Sequence, residues 1–130
     1  ELQDLVAGDR LVYQVMGDLN ERIAAGTEGK YGYTMAGAVT GATYPDDIKQ
    51  LRKRLEHTFF LVPGYGAQGG TAADVANAFD RYGHGAIVNS SRGIMCARQK
   101  TGGDGHDFAR AARDAAIAME EDIGQFVTVL

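Results

Sequence analysis

Over the first part of the chain, apolar residues recur at helical spacing: Leu5, Val6, Val12, Val15, Met16, Leu19 and Ile23, with charge between them. Gly8-Asp9 separates a short lead-in from the main helix, and Gly26 stops it. The pattern then changes. Met35 to Ala42 is a run of small apolar residues, which predicts a strand buried on both faces, as parallel sheets require. Pro45 opens a second helix at its first position, followed by Asp46 and Asp47, and this helix is expected to reach about His57. The apolar run Phe59-Phe60-Leu61-Val62 predicts a strand over 59–62. Thr71, with Asp74 three residues on, is an N-cap signature for a third helix whose apolar face is Val75, Ala78 and Phe79. Gly83-His84-Gly85 turns the chain into a strand over 86–89. A polar connection ending in Gly102-Gly103-Asp104-Gly105, expected to be mobile, precedes a last amphipathic helix over 106–126.

The order is helix, then strand–helix three times. Short apolar strands alternating with helices predict parallel pairing and an α/β architecture. In such folds the working residues sit on loops after the carboxyl ends of the strands. Here those loops are 41–45, 63–70 and 90–104.

Composition narrows the field. With 130 residues the chain has room for one domain, and a net charge of −4 argues against nucleic-acid binding by bulk electrostatics. Lys49, Arg52, Lys53 and Arg54 follow the acidic pair on one helix, complement its dipole, and read as a solvated face. No apolar run has the roughly 18–20 residues of a membrane span, so no membrane partner is expected. Cys96 is the only cysteine, which excludes a disulfide scaffold and makes a reducing cytoplasmic compartment the default. His57, His84 and His106 lack metal-ligand spacing, so no metal site is assigned.

The chemistry concentrates at two strand ends. Strand 59–62 runs into Pro63-Gly64-Tyr65-Gly66-Ala67-Gln68-Gly69-Gly70, and strand 86–89 into Ser90-Ser91-Arg92-Gly93. Bare glycine amides, hydroxyls and one guanidinium suit a phosphate, since all can donate hydrogen bonds to its oxygens. Two architectures accommodate this. Gly64-x-Gly66-x-x-Gly69 formally matches the dinucleotide fingerprint, with Ser90-Ser91-Arg92 placed to grip the 2′-phosphate of NADP. Against it, Pro63 intervenes before the first glycine, no acid ends the next strand, and the helix starts after the motif. Alternatively, in a (β/α)8 barrel the loops after strands seven and eight commonly form a phosphate site.

Three segments together carry a family resemblance. Val39-Thr40-Gly41-Ala42-Thr43 followed by Pro45, then Phe60 to Gly70, then Ile87-Val88-Asn89-Ser90-Ser91-Arg92-Gly93-Ile94, resemble orotidine 5′-phosphate decarboxylase of the second, bacterial and mycobacterial-type subfamily. The resemblance covers nearly the whole chain, in the right order. It implies the C-terminal half of a (β/α)8 TIM barrel, from the fifth helix to the eighth, with the N-terminal half of the same enzyme as partner. It also implies a homodimer, a nucleotide substrate, and decarboxylation of orotidine 5′-phosphate to uridine 5′-phosphate without metal or organic cofactor.

On this match Gln68 belongs to the loop that closes over the phosphate and links it to the pyrimidine. Arg92 is the phosphate's charged partner, Ser91 and Gly93 complete the cradle with backbone amides, and Pro63 and Gly64 shape the wall beside the base. The family's catalytic Asp-x-Lys-x-x-Asp-like array has no counterpart here. Lys30, Lys49 and Lys100 lack the aspartate spacing at a strand end, and no catalytic residue is assigned. The expectation is a chain that begins just after the fifth strand. The remaining alternatives are the NADP-binding domain and a phosphate-binding module without chemistry.

Overall fold

A computed structural model describes residues 3–102 and 105–130. Its centre is a three-stranded parallel sheet of β3 (Gly37–Val39), β4 (Phe59–Pro63) and β5 (Ala86–Asn89), in that order, with β4 in the middle. Val39, Leu61 and Ile87 are level across the sheet, and Pro63 is level with Asn89. Ahead of the sheet, β1 (Val6–Ala7) and β2 (Arg10–Leu11) form a small antiparallel hairpin. The short lead-in is a hairpin, turned at Gly8 with φ 71°.

Two of the helices, the second and the third, start where the sequence supplies an N-terminal signal. α1 (Val12–Ala24) follows the hairpin directly, and α2 (Pro45–Arg54) has proline and two acids in its first turn. α3 (Ala72–Ala76) is capped reciprocally: the Asp74 amide donates to Thr71 Oγ1 at 3.2 Å, and the Thr71 amide donates to Asp74 Oδ2 at 2.8 Å. Beyond β5 come α4 (Ser91–Met95), a 3-10 turn over Ala97–Lys100, and α5 (Phe108–Gly124). α4 was not legible as a helix in the sequence, where 90–104 reads as an open connection. The mobility expected of 102–105 falls partly on residues 103 and 104, which lie outside the described residues. β3 is shorter than the apolar run suggests, yet Thr40 and Ala42 still donate to the carbonyls of Leu61 and Pro63, at 3.0 and 2.8 Å.

One face of the sheet makes the core. Phe60 and Val62 are 0% exposed and pack with Ile48 and Leu55 from the α2 region, Val75 of α3, Ala78 and Ala42. The other face is open: Val39, Leu61 and Ile87 are 71%, 41% and 56% exposed. The strands are therefore buried on one face, because the helices of this chain cover only one.

Arg52 corrects the reading of the basic helix face. Its neighbours Lys49, Lys53 and Arg54 are exposed, but Arg52 is only 9% exposed. Its guanidinium donates to the carbonyls of Thr58 at 3.0 Å, Gly85 at 3.3 Å and Leu55, and lies 4.4 Å from the Phe60 ring centroid. It gathers the carboxyl end of α2 and the entry points of β4 and β5. Burial lowers its pKa, opposed by the surrounding tyrosine and carboxylates.

Candidate functional site

The site is built at the carboxyl ends of β4 and β5. Because Pro63 and Asn89 are in register, the two strands end level and their following loops are neighbours. Gly64, Gly66 and Gly69 all take positive φ (103°, 70° and 96°), a region open to glycine and strained for other residues. Gly70 answers a different need, since a Cβ there would come within 2.8 Å of the Gly64 carbonyl oxygen. The loop closes on itself: the amides of Gly66, Gly69 and Gly70 donate to the carbonyls of Gly70, Gly66 and Gly64, at 2.8, 2.9 and 3.1 Å. Three of the amides expected to lie bare are thus occupied inside the loop.

Three ties hold this loop to the body. The Ala42 amide donates to the Pro63 carbonyl, Ser90 Oγ donates to the Tyr65 carbonyl at 3.3 Å, and Tyr65 Oη donates to Asp122 Oδ2 on α5 at 2.7 Å. Burial first, and then the bond to the Asp122 carboxylate, pushes the Tyr65 hydroxyl up to about 12.

Pro63, Gly64 and Gln68 from the first loop meet Ser91 and Arg92 from the second around one cleft of about 90 Å³. Five of the six residues singled out in the sequence therefore converge. Gly93 does not line the cleft. It lies in the first turn of α4 against Ser90 Oγ, where a side chain would clash, so its part is to let that hydroxyl reach Tyr65. Gln68 folds back so that its Oε1 is 3.2 Å from where a Cβ on Gly64 would stand. Ser91 and Arg92 are exposed, and the amides of a first helical turn have no partner within the helix. Arg92 is the one charged residue lining the cleft, and it forms no ion pair among the described residues. A lone guanidinium among hydroxyl and amide groups selects an anion. The volume is small beside the roughly 300 Å³ and more of a whole ligand pocket, so it fits one group of a larger molecule.

Asn89, Ser90 and Tyr65 also line the cleft and were not among the residues chosen from sequence. Period-two alternation carries the signal for Asn89, which follows Ile87 on the open face. Tyr65 had no local signal, because its partner Asp122 lies 57 residues away. His57 and His84 lie two residues before β4 and β5, at the ends opposite the cleft. Among the described residues, no group of three or more His, Cys, Asp or Glu is placed to hold a metal ion. No helix among the described residues is long and apolar enough to cross a membrane.

No family model matches the chain. Curated relatives do. Orotidine 5′-phosphate decarboxylase of Clostridium perfringens (strain SM101) is 42% identical over 128 residues, which are 98% of this chain and 44% of the relative. The Rhodopirellula baltica enzyme of the same name is 41% identical over 126 residues, 94% of this chain and 42% of the relative. Among solved structures, Leishmania donovani OMP decarboxylase superposes with a TM-score of 0.62 at 30% identity, over 94% of this chain and 42% of its own. A Toxoplasma gondii structure bearing an orotidine-monophosphate-decarboxylase name reaches a TM-score of 0.73 at 23% identity, over 98% of this chain and 46% of its own, and speaks for the fold. Nothing in these comparisons favours the dinucleotide alternative, and α3 begins only after the last glycine of the fingerprint. The chain spans less than half the length of the curated relatives it matches. In sequence and in fold, it is homologous to a part, a little under half, of orotidine 5′-phosphate decarboxylase.

Proposed function

We propose that the complete protein carrying this chain decarboxylates orotidine 5′-phosphate to uridine 5′-phosphate, a step of pyrimidine biosynthesis, and that this chain supplies the loops holding phosphate and pyrimidine. One observation carries the proposal: Gln68 and Arg92, from adjacent strand ends, line the same carboxylate-free cleft. Arg92 and the amide of Ser91 take the phosphoryl oxygens, while Gly93, outside the cleft, leaves room for the Ser90 hydroxyl. The Gln68 amide donates to the phosphate and either donates to or accepts from the base. Pro63 and Gly64 form the wall beside the pyrimidine.

The phosphate is remote from the bond that breaks, so its contribution is binding energy used to hold the orotate carboxylate in a destabilising setting. At the reacting centre the C6–carboxylate bond breaks, CO2 departs, and the electron pair left on C6 takes a proton. The acid for that step is a lysine from the other half of the barrel, in an array this chain does not contain. The open face carrying Val39, Leu61 and Ile87 supports that division, because an apolar strand face is ordinarily covered in a barrel. We further propose that this chain is the C-terminal half, and that the assembled enzyme is a cytoplasmic homodimer.

The test is loss of orotidine 5′-phosphate absorbance with the complete protein. Stoichiometric uridine 5′-phosphate is expected, whereas a folded, complete protein without turnover would leave the phosphate-binding module without chemistry as the better reading. Tight NADPH binding with no binding of uridine 5′-phosphate would favour the oxidoreductase alternative.

A further inference from the structure

The glycine loop bonds to itself, and three ties to the rest of the chain bear on where it sits relative to α4. The Ala42–Pro63 bond lies at the strand end, before the loop's first positive-φ glycine. The Ser90–Tyr65 bond is long, at 3.3 Å. The remaining tie, Tyr65 Oη to the Asp122 carboxylate at 2.7 Å, is a charge-assisted bond to the longest helix of the chain. Tyr65 directly follows Gly64, against which Gln68 folds, and its ring packs on the hydrophobic core. One residue thus connects α5, the second strand tip and the loop that carries Gln68.

We infer that Tyr65 and Asp122 form a positioning strut, which fixes the glycine loop so that Gln68 and Arg92 meet on one phosphoryl group. Neither residue need touch the reacting atoms. Without the hydroxyl, a loop with three positive-φ glycines has many nearby conformations, and substrate binding must supply the ordering free energy. The effect therefore depends on there being a phosphate for the loop to close on.

This inference rests on the phosphate reading of the cleft, and the experiment separates the two. Tyr65→Phe is made in the complete protein, and kcat/KM is measured on orotidine 5′-phosphate and on orotidine, which lacks the phosphate. The strut predicts about a tenfold loss on the phosphorylated substrate and a change under about twofold on orotidine. Asp122→Leu should match Tyr65→Phe, the double variant should lose no more than either alone, and Asp122→Asn, which keeps an acceptor oxygen, should recover most activity. Equal losses on both substrates, or none, overturn the strut, and additive losses in the double variant do the same. Arg92→Ala is the control for the underlying reading. If it too fails to distinguish the substrates, the phosphate assignment itself is wrong; if it distinguishes them and Tyr65→Phe does not, only the strut fails.

Discussion

Ser90 Oγ donates to the backbone carbonyl of Tyr65 at 3.3 Å, a bond that joins the tips of two parallel strands. It exists because residue 93, in the first turn of α4, is glycine: a Cβ there would run into the Ser90 hydroxyl. Gly93→Ala should therefore cost the complete protein about 0.5–1.5 kcal/mol, because Ser90 must turn its hydroxyl away and give up the bond to Tyr65. In a Ser90→Ala background the clash is gone and alanine is the better helix former, so the same substitution should be neutral or stabilising by up to about 1 kcal/mol. A thermal-unfolding double-mutant cycle reads this directly, and two additive effects would contradict it.

Arg52 sets a second expectation. Three carbonyls depend on its guanidinium, and they are drawn from two loops and a helix end. Arg52→Ala should cost about 2–4 kcal/mol in urea unfolding, since it leaves buried acceptors unpaired and removes the cation from the Phe60 face. Arg52→Lys should recover little of that, because a single ammonium cannot span the three acceptors. A loss below about 1 kcal/mol would show that those carbonyls find water instead.

Alkaline pH provides a third. Tyr65 and Tyr33 are both pushed up to about 12, by burial first and then by bonds to Asp122 and Asp80. In the folded state they keep their protons above pH 10, the ordinary tyrosine value, while the unfolded chain gives them up. Their contribution is complete below about pH 10 and is lost as pH rises through about 12. Stability should thus fall between those limits, and Tyr65→Phe should flatten the fall. Spectrophotometric titration in which every tyrosine ionised near pH 10 would refute the assignment.

Acid has the opposite sign. The Thr71 hydroxyl and amide bonds hold Asp74 below the usual carboxylate range. Burial works against Asp80, but bonds from the His84 amide, the Tyr33 hydroxyl and the Tyr82 amide outweigh it and hold that carboxyl low as well. Stability from these groups is present above about pH 4 and is lost as pH falls through their depressed values. Asp74→Asn should reduce the acid-dependent part while leaving the neutral-pH fold in place, as measured by thermal unfolding from pH 6 to 3.

Much of this was legible in the residues because the signals are local. Alternating strands and helices follow from apolar runs punctuated by glycine, and the Thr71–Asp74 cap is written within four residues. The loops 63–70 and 90–93 are legible because they stand at strand ends, which parallel strands bring together; the individual parts of Pro63, Gly64, Gln68, Ser91 and Arg92 rest on the family resemblance. What stayed hidden depends on distant partners. Arg52 reads as one of four bases on a solvated face, and only the carbonyls of Leu55, Thr58 and Gly85 turn it inward. Tyr65 reads as a loop aromatic until Asp122 is placed beside it. Burial on both faces of the strand within 35–42 follows from composition, which cannot tell which elements lie within one chain.

The most direct test of the two-loop phosphate cradle is a crystal structure of the complete protein with uridine 5′-phosphate. The account predicts phosphate oxygens within about 2.7–3.2 Å of both the Arg92 guanidinium and the Gln68 amide nitrogen, with the base beside Pro63. A nucleotide whose phosphate lies away from residues 64–70 and 90–93 would contradict it.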